Sequence, residues 1–422
     1  MSRPLIGCIA DDFTGGTDLA STLVQGGMRT VQVIGVPKTP LSEPTDAIVV
    51  ALKSRTLPVD QAIEESLAAL EYLKAAGCRQ FFFKYCSTFD STKQGNIGPV
   101  ADALLENLGE TFALMCPAFP QNGRTLYNGY LFVGDVPLNE SGMRNHPLTP
   151  MTDANLIRVL QSQTQGKVGL VPFSTVSCGA EAIRKRFLTA QEQGCRYVIV
   201  DALTDDNLKA IGESARDHVL ITGGSGVALG LPQNFREQGL LPHASTASEL
   251  PEVGGLSAVI AGSCSNATNA QVKYWQQSRP SFKIDPLLIA SGQDVASEAL
   301  AWAKDKVQSG PVLIYGSADP SEVRIAQEKL GAQHAGALVE DSLARVAKGL
   351  CALGVRKLVV AGGETSGAVV KALEVDTLRI GAPIDPGVPW TLGLQQTPIA
   401  LALKSGNFGS VDFFEKALKQ VR

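Results

Sequence analysis

The chain is 422 residues long, more than a single hydrophobic core usually holds, so we expect two domains. Hydrophobic residues make up 44% of the sequence and charged residues 18%, which excludes a disordered protein. The net charge of −4 argues against nucleic acid or an acidic membrane as a partner. No run of about twenty apolar residues could span a bilayer, and no secretory signal is visible.

The first part of the chain alternates short apolar runs with amphipathic stretches. Strands are predicted at residues 5–10, 30–36, 47–52, 80–85, 111–115, 168–172, 197–201 and 219–222. Helices are predicted at residues 17–25, 59–76, 99–108, 155–163, 178–193 and 206–217. This alternation calls for a mostly parallel sheet covered by helices on both faces.

Residues 117–150 interrupt this pattern with a long segment rich in turn residues. Asn128-Gly129 predicts a hairpin, because this dipeptide favours the tight turns that join two strands. Long loops inside a compact domain are usually functional or disordered. We interpret this one as part of a binding wall, with Arg124, Asn139, Arg144 and His146 as its polar residues.

The alternation of predicted strands and helices resumes in the last part of the chain. Strands are predicted at residues 256–261, 311–315 and 357–361 and from residue 401, with helices at 267–277, 293–308, 342–353 and 368–373. A loose polar segment, residues 241–255, is the predicted linker between domains of residues 1–240 and 256–422. We therefore predict an α/β protein of two domains, each a mostly parallel sheet flanked by helices. The active site is expected in the interdomain cleft.

The first predicted strand ends at Asp11-Asp12, followed by Thr14-Gly15-Gly16 and a helix. Open α/β sheets bind ligands at such strand-to-helix junctions, where glycines let a small molecule approach the backbone. The alternative is that Asp12 and Thr17 only cap the turn and the helix. Capping explains one acid easily but two acids and a hydroxyl poorly, so we favour a functional site.

Another polar stretch, residues 84–96, leaves the strand at 80–85. Lys84, together with Arg55 at a second strand end, predicts a site for an acidic ligand such as a carboxylate. Hydroxyl, carboxylate and amide groups suited to a polyol follow at Ser87, Thr88, Asp90, Ser91, Thr92 and Asn96. A solvated polar loop that caps the next helix is the alternative, and Lys93 fits solvent better than a site.

Three junctions in the last part of the chain are rich in glycine and hydroxyl residues, at 262–266, 362–367 and 405–409. Backbone amides at such junctions can hold phosphate oxygens. No Walker lysine is present, so a nucleotide would depend on amides, hydroxyls and a metal ion. Alternatively, the glycines only permit tight turns. Residues 223–226 lack the spacing of a dinucleotide fingerprint, which weakens the alternative of a nicotinamide-dependent dehydrogenase.

The cysteines and histidines give no sign of a disulfide framework or a zinc site. The eight cysteines are scattered without a Cys-x-x-Cys pair, and none of the four histidines lies at metal-ligand spacing. Free thiols are typical of a reducing compartment, so we expect a soluble cytoplasmic protein.

Four motifs together resemble the four-carbon acid sugar kinases, and within them the branch acting on 3-oxo-tetronates. They are residues 11–18, residues 86–92 with Gly95-Asn96, residues 117–124 and residues 362–367. The resemblance covers nearly the whole chain. Lys93 stands where the relatives' motif has an arginine, and no catalytic role is assigned to this position.

The resemblance implies an N-terminal domain that binds the acid sugar and a C-terminal domain that binds ATP. It places on the sugar acid the residues Asp11, Asp12, Arg55, Lys84, Ser91 and Arg124. It places on ATP the residues Ser263, Ser265, Gly362, Gly363, Glu364, Thr365 and Gly406.

The implied reaction moves the ATP γ-phosphoryl group to the C4 hydroxyl of a 3-oxo four-carbon sugar acid. Asp12, or else Asp11, is expected to orient or deprotonate that hydroxyl, and Mg²⁺ to accompany the phosphates. No residue is assigned to the metal, with Glu364 only a candidate. A kinase acting on the unoxidised tetronate and a non-catalytic acid-sugar sensor stay open as alternatives, and a homodimer is compatible with the sequence.

Overall fold

The computed structural model describes residues 3–41, 43–90, 92–145, 149–243 and 246–420. The chain forms two compact units, Met1–Ser248 and Glu249–Arg422, and their boundary falls inside the predicted linker 241–255. All eight cysteines are free thiols. Among the described residues, no helix is long and apolar enough to cross a membrane.

The first unit contains the elements that alternation predicted, with additional short ones. Its strands are β1 (Ile6–Ala10), β2 (Thr30–Ile34), β3 (Ala47–Ala51), β4 (Gln80–Lys84), β5 (Ala113–Cys116), β6 (Arg124–Tyr127), β7 (Tyr130–Val133), β8 (Val136–Pro137), β9 (Lys167–Val171), β10 (Cys195–Val200) and β11 (Leu220–Gly223). Its helices are α1 (Phe13–Gln25), α2 (Val59–Ala76), α3 (Ile97–Leu108), α4 (Leu156–Gln161), α5 (Phe173–Val176), α6 (Ala180–Glu192), α7 (Asp205–Ser214) and α8 (Leu231–Glu237).

The main sheet of the first unit is parallel, in the order β2-β3-β1-β4-β11-β5-β10-β9. Within β1, the Cβ position of Gly7 lies against Leu73 of α2, while Ala10 lies against Gly16 of α1. Side chains three positions apart in a strand point to opposite faces. Helices α1 and α2 therefore cover opposite faces of the sheet, as the sequence predicts for a parallel sheet.

The second unit also has the elements of an α/β domain. Its strands are β12 (Leu256–Ala261), β13 (Ser281–Lys283), β14 (Val312–Tyr315), β15 (Val355–Ala361), β16 (Thr377–Asp385), β17 (Val388–Gly393) and β18 (Ile399–Lys404). Its helices are α9 (Asn266–Gln276), α10 (Pro286–Ala290), α11 (Val295–Ser309), α12 (Pro320–Leu330), α13 (Ala332–Ala352), α14 (Gly363–Ala372) and α15 (Phe413–Gln420).

The sheet of the second unit has the order β13-β14-β12-β15-β18-β17-β16. Strands β13, β14, β12, β15 and β18 are parallel, whereas β17 pairs antiparallel with both β18 and β16. One face is sealed by a core in which Trp275 of α9 and Phe413 and Phe414 of α15 pack against the strands. Fully burying aromatic side chains of this size supplies much of the apolar area that stabilises a domain.

Several element boundaries differ from the sequence-based predictions, each for an identifiable reason. Helix α1 begins at Phe13 rather than residue 17, because Asp12 is the extended N-cap residue and the low helix propensity of Gly15 and Gly16 is overridden by burial. Helix α14 begins at Gly363 rather than 368, after Gly362 at φ +127°. Strands β16 and β17 and helix α12 carry no strong periodicity and were not predicted.

The interrupted segment forms the predicted hairpin. Strands β6 and β7 pair antiparallel, with Asn128 at φ +50° and Gly129 at φ +75°, the turn conformation that Asn-Gly favours. Asp201, which follows β10 and is fully buried, accepts hydrogen bonds from the amides of Asn128 (2.6 Å), Gly129 (2.9 Å) and Phe173 (2.8 Å). This carboxylate anchors the hairpin to the end of the main sheet.

We predict that Asp201→Asn weakens this anchor. An amide has one acceptor oxygen, so its NH₂ group would face buried backbone donors, at a cost of about 2–4 kcal/mol. Hydrogen–deuterium exchange of peptides spanning 124–133 should become faster, and the melting temperature should fall. Asp217→Asn, at an exposed position, is the control. Unchanged exchange in the hairpin would contradict the anchoring role.

Candidate functional site

The candidate site of the first unit lies where β1, β3 and β4 end. Ala10 is in register with Ala51 of β3 and Lys84 of β4, so these three parallel strands end side by side. The amide of Asp11 donates to the carbonyl of Lys84 (3.1 Å), and the amides of Ser54 and Arg55 donate to the carbonyl of Asp11. The backbone thereby brings together the predicted residues Asp11, Arg55 and Lys84.

Arg55 binds both predicted carboxylates. Its Nε and Nη2 donate to the two oxygens of Asp11 at 2.9 and 2.8 Å, and Nη2 also donates to Oδ1 of Asp12 at 2.5 Å. Lys84 Nζ lies 3.8 Å from the same Asp12 oxygen. We call Asp11, Asp12, Arg55 and Lys84 the charge quartet.

The two carboxylates of the quartet differ in access. Asp11 has a side chain 5% exposed with both oxygens held by Arg55, whereas the Asp12 side chain is 26% exposed. Burial raises the pKa of Asp12, but the charges of Arg55 and Lys84 and the hydrogen bond from Thr14 outweigh it and lower the pKa to about 2. Asp12 is therefore an ionised acceptor that a ligand can reach.

The capping alternative does not account for this arrangement. The Gly15 N–H interacts with the Asp12 carboxylate as in a helix cap, but the bonds from Arg55 Nη2 and from the Thr14 hydroxyl are not capping bonds. Thr17 lies inside the helix, where its hydroxyl donates to the carbonyl of Phe13 at 3.2 Å.

Gly15 permits the close approach of the quartet to α1. A Cβ at this position would lie 2.1 Å from Asp12 Oδ1 and 2.2 Å from Lys84 Nζ. The Lys84 side chain is 5% exposed, and its ammonium makes no hydrogen bond with the residues that the structure describes. A buried ammonium without such a partner is suited to receive an anionic group.

Asp18 and Ser225 were not predicted as site residues, yet they extend the site. Ser225, which follows β11, donates a short hydrogen bond to Oδ2 of the buried Asp18 on α1. Burial raises the pKa of Asp18 to about 6, against the opposing effect of the nearby Lys84 charge. These two residues stand 207 positions apart in the sequence. Asp18 closes the motif at residues 11–18, and Ser225 lies in the glycine-rich stretch 223–226, which the sequence analysis considers only as a dinucleotide motif.

The predicted polyol residues have varied environments. Thr88 is buried and donates to Asp90, whereas Ser87 is half-buried. The Asn96 amide donates to the carbonyls of Ser54 (2.8 Å) and Arg55 (3.2 Å), so it supports the segment that carries Arg55. Ser91 lies outside the described residues.

The predicted binding wall contributes Arg124 at the start of β6. Its Nη1 donates to the carbonyl of Asn122, while its buried Nε has no partner among the described residues. No described contact joins Arg124 to the charge quartet. Asn139 and Arg144 lie in short 3₁₀ helices, and His146 is outside the described residues.

The three glycine-rich junctions of the second unit meet at one sheet edge. Ala261 of β12, Ala361 of β15 and Lys404 of β18 are in register at the ends of parallel strands. A Cβ on Gly362 would lie 3.1 Å from the amide nitrogen of Ser263. A Cβ on Gly406 would lie 2.2 Å from the Ser263 hydroxyl, so the three loops touch.

These junctions line one wall of a cavity of about 540 Å³. Ser263, Gly362, Gly363, Glu364 and Thr365 face it at the junctions. Another wall comes from α12 and α13, which line the cavity with the apolar residues Val323, Ala326, Ala335 and Val339 and with the acids Glu322 and Glu340. One polar wall of amides and hydroxyls and one apolar wall suit a ligand with phosphates and a flat ring.

Ser265 and Gly406 sit behind this wall. The Ser265 hydroxyl caps α9 by accepting from the amide of Thr268, and it donates to the carbonyl of Gly406 at 2.6 Å. Glu364 is exposed in the first turn of α14. The described residues contain no group of three or more His, Cys, Asp or Glu placed to hold a metal ion.

We predict that Asp18→Asn makes the protein more stable at pH 8 but not at pH 4.5. The folded pKa of about 6 exceeds the unfolded value of about 3.9, so the stability this group contributes is present below pH ~4 and lost as pH rises through 6. Removing the buried charge should raise the melting temperature at pH 8 by about 2–6 °C. Glu192→Gln, at an exposed carboxylate, is the control. Equal shifts at both pH values would contradict the prediction.

Two sequence profiles and several known proteins match this chain. The sequence profile of a sugar-binding N-terminal domain matches residues 6–231, and that of a nucleotide-binding C-terminal domain matches residues 258–414. A 3-oxo-tetronate kinase of Burkholderia multivorans is 61% identical over 99% of this chain and 97% of its own length. A 3-oxo-tetronate kinase of Haemophilus influenzae is 44% identical over 98% of this chain and 99% of its own length.

Solved structures share the fold over the full length. A protein of Salmonella typhimurium is 43% identical and superposes with a TM-score of 0.89, covering 99% of both chains. A protein of Haemophilus influenzae is 45% identical with a TM-score of 0.80, covering 98% of this chain and 99% of its own. The resemblance seen in the sequence motifs is confirmed, and the chain belongs to the four-carbon acid sugar kinase family.

Proposed function

We propose that this protein is an ATP-dependent kinase that phosphorylates the C4 hydroxyl of a 3-oxo-tetronate, giving the 4-phosphate and ADP. The observation that carries the proposal is that relatives matching nearly the whole chain are 3-oxo-tetronate kinases. The charge quartet and the amide-lined cavity supply groups suited to the two substrates of such a reaction.

Asp12 is the residue we assign to the attacking hydroxyl. It is ionised at neutral pH, reachable from solvent and fixed by Arg55 and Thr14. With a pKa of about 2 it is a weak base, so its main task is to accept the hydroxyl hydrogen bond and align the oxygen. Phosphoryl transfer depends on such alignment more than on early proton removal. Asp11 acts through Arg55, whose guanidinium it holds.

Lys84 is the residue we assign to the negatively charged end of the acid. Its ammonium has hydrogen-bond capacity to spare among the described residues, whereas two nitrogens of Arg55 are already engaged by Asp11 and Asp12. Arg55 can still contribute Nη1, which makes no hydrogen bond in the described part of the chain. Arg124 provides a further cation, with an unpaired Nε.

The other residues predicted to bind the sugar are assigned to secondary roles in substrate binding. Ser87, Thr88, Asp90 and Ser91 are proposed to bind the acid's hydroxyl and carbonyl groups. Asn96 is proposed to act by holding the Arg55 segment, since its amide already donates to that backbone.

ATP is proposed to occupy the cavity of the second unit. Its phosphates would lie on Ser263, Gly362, Gly363, Thr365 and the Gly406 loop, and its ring against the apolar wall. Ser265 would hold Gly406 in place.

Mg²⁺ fits this donor set as a partner of the nucleotide. Mg²⁺ usually binds through substrate phosphates, waters and one or two carboxylates, so a three-carboxylate cage is not required. Glu364, which lines the cavity, is the carboxylate we propose to hold it. When bound, the ion would neutralise phosphate charge during transfer. A cytoplasmic location, where ATP is available and thiols stay free, belongs to the same proposal.

The assay that tests the function measures ADP release from Mg-ATP with a panel of four-carbon acids. We expect turnover only when a dehydrogenase that forms the 3-oxo acid is added. Turnover on the unoxidised acid would support the kinase activity but show that the substrate is the tetronate itself rather than its 3-oxo form. No turnover on any acid would contradict the proposal.

We predict that Asp12→Asn lowers kcat by about 100-fold or more, because a neutral amide is a weaker hydrogen-bond acceptor than a carboxylate and aligns the hydroxyl less well. The KM for ATP should change less than about threefold, since Asp12 is not assigned to the nucleotide. Steady-state kinetics of the variant, beside exposed Asp60→Asn as control, measure both parameters. An undiminished kcat would remove Asp12 from the mechanism.

A further inference from the structure

Lys404, the last residue of β18, was not singled out by any motif, yet it has the most unusual environment in the second unit. It is fully buried, and its ammonium donates at 3.0 Å to the Thr268 hydroxyl and to the carbonyls of Ser405 and Gly406. In the protonated form, its three donor positions are therefore all used. No salt bridge joins Lys404 to a carboxylate among the described residues.

These bonds fix the direction in which the 405–407 backbone points. The Gly406 carbonyl accepts from Ser265 (2.6 Å), Thr268 (2.9 Å) and Lys404 (3.0 Å). Described peptide bonds are all trans, and in a trans peptide the carbonyl and the next N–H point in opposite directions. With the carbonyls of 405 and 406 turned toward Lys404, the N–H groups of Gly406 and Asn407 point away from it.

Those two amides are available for a ligand. Neither Gly406 N–H nor Asn407 N–H donates to a group in the described part of the chain. The same loop touches Ser263, which lines the cavity, at the Cβ position of Gly406. Successive outward N–H groups form an anion-binding concavity.

We propose that Lys404 is a positioning residue that turns the 405–407 amides toward a nucleotide phosphate. A consequence is that the Lys404 amine takes up a proton when the nucleotide binds. This inference rests on the proposed nucleotide site. A buried cation behind the amides replaces, from the opposite side of the loop, part of the attraction that a Walker lysine supplies directly.

The proton uptake follows from the surroundings of Lys404. Burial lowers its pKa to about 7, and burial is the sole cause. The elements packed against β18 and Lys404 also carry ionisable side chains, none of which shifts this pKa: Arg356 and Lys357 on β15, Lys273 and Tyr274 on α9, and Glu364 and Lys371 on α14. Nucleotide phosphates would bring negative charge nearby and raise the Lys404 pKa.

Isothermal titration calorimetry with Mg-ADP in buffers of different ionisation enthalpy measures this uptake. At pH 8, Lys404 is mostly neutral in the protein without nucleotide. The unsubstituted protein should therefore take up about 0.5–0.9 proton per nucleotide bound. At pH 6, the uptake should fall to about 0.1 proton. The phosphates of Mg-ADP do not titrate at pH 8, so they do not contribute.

Two variants distinguish the effect of the Lys404 positive charge from the effect of its proton uptake. Lys404→Arg keeps a permanent charge, and it should bind Mg-ADP without proton uptake at pH 8. Lys404→Met removes the donors, and it should weaken Mg-ADP binding on the order of 30-fold and raise the KM for ATP while the KM for the acid stays unchanged. Lys371→Met, at an exposed position on α14, is the matched control.

Each outcome decides the inference. Mg-ADP binding to the unsubstituted protein without proton uptake at pH 8 would overturn the inference and leave the proposed function standing. If a folded Lys404→Met variant binds Mg-ADP as tightly as the unsubstituted protein, the inference is also overturned and the proposed function still stands. Failure of the unsubstituted protein to bind Mg-ADP would overturn the nucleotide site itself. If Lys404→Met does not fold, the buffer dependence of the unsubstituted protein still decides.

Discussion

The guanidinium of Arg55 is shared by two consecutive carboxylates, and the site of the first unit depends on this arrangement. Asp11 and Asp12 follow β1 directly, and two buried or half-buried like charges at this spacing would repel each other strongly without a cation between them. Arg55 reaches both because the amides of residues 54 and 55 bind the Asp11 carbonyl and Asn96 holds the same segment from the other side. A bidentate bond on Asp11 leaves Asp12 as the reachable acid.

The second unit has no Walker lysine, so a polyanionic group bound there would be held by backbone amides and hydroxyls. Its amides and hydroxyls come from three loops that leave neighbouring strands at the same register. Glycine at 262 and 406 is required by contact, because a Cβ there would lie 2.2 Å from Thr365 and Ser263 hydroxyls, respectively. The loops are thus packed against one another before any ligand arrives, which lowers the entropic cost of ordering them on binding.

Most strands and helices and the strand-end positions of the two sites could be predicted from the sequence, because the local residue patterns agree with the fold. Apolar runs followed by glycine and hydroxyl residues indicated the strand ends, and parallel strands place such ends at one edge. The Asn128-Gly129 turn was predicted because two residues with positive φ need this dipeptide.

The rest depends on contacts that no local pattern encodes. Ser225 meets Asp18 across 207 positions, because the sheet order β1-β4-β11 brings the loop after β11 close to α1, the helix that follows β1. Lys404 looked like an ordinary charge after an apolar strand, since burial under α9 is visible only in the folded chain. Asn96, predicted as a ligand contact, also donates to carbonyls of a loop that is distant in sequence, which its spacing does not show. Spacing indicates which residues reach an edge, not which way their side chains turn.

The charge quartet has a further consequence for how a ligand arrives. Two carboxylates and two cations cancel within the quartet, and the neighbouring Asp18 and the −4 charge of the whole chain add no positive field in solvent. The proposed anionic substrate is therefore not drawn in from a distance, and in the proposed site its attraction arises only within a few ångströms of Lys84. Encounter with the acid is then governed by diffusion and shape, and added salt has little to screen. Selectivity for the anion resides in the residence time of the complex rather than in its rate of formation.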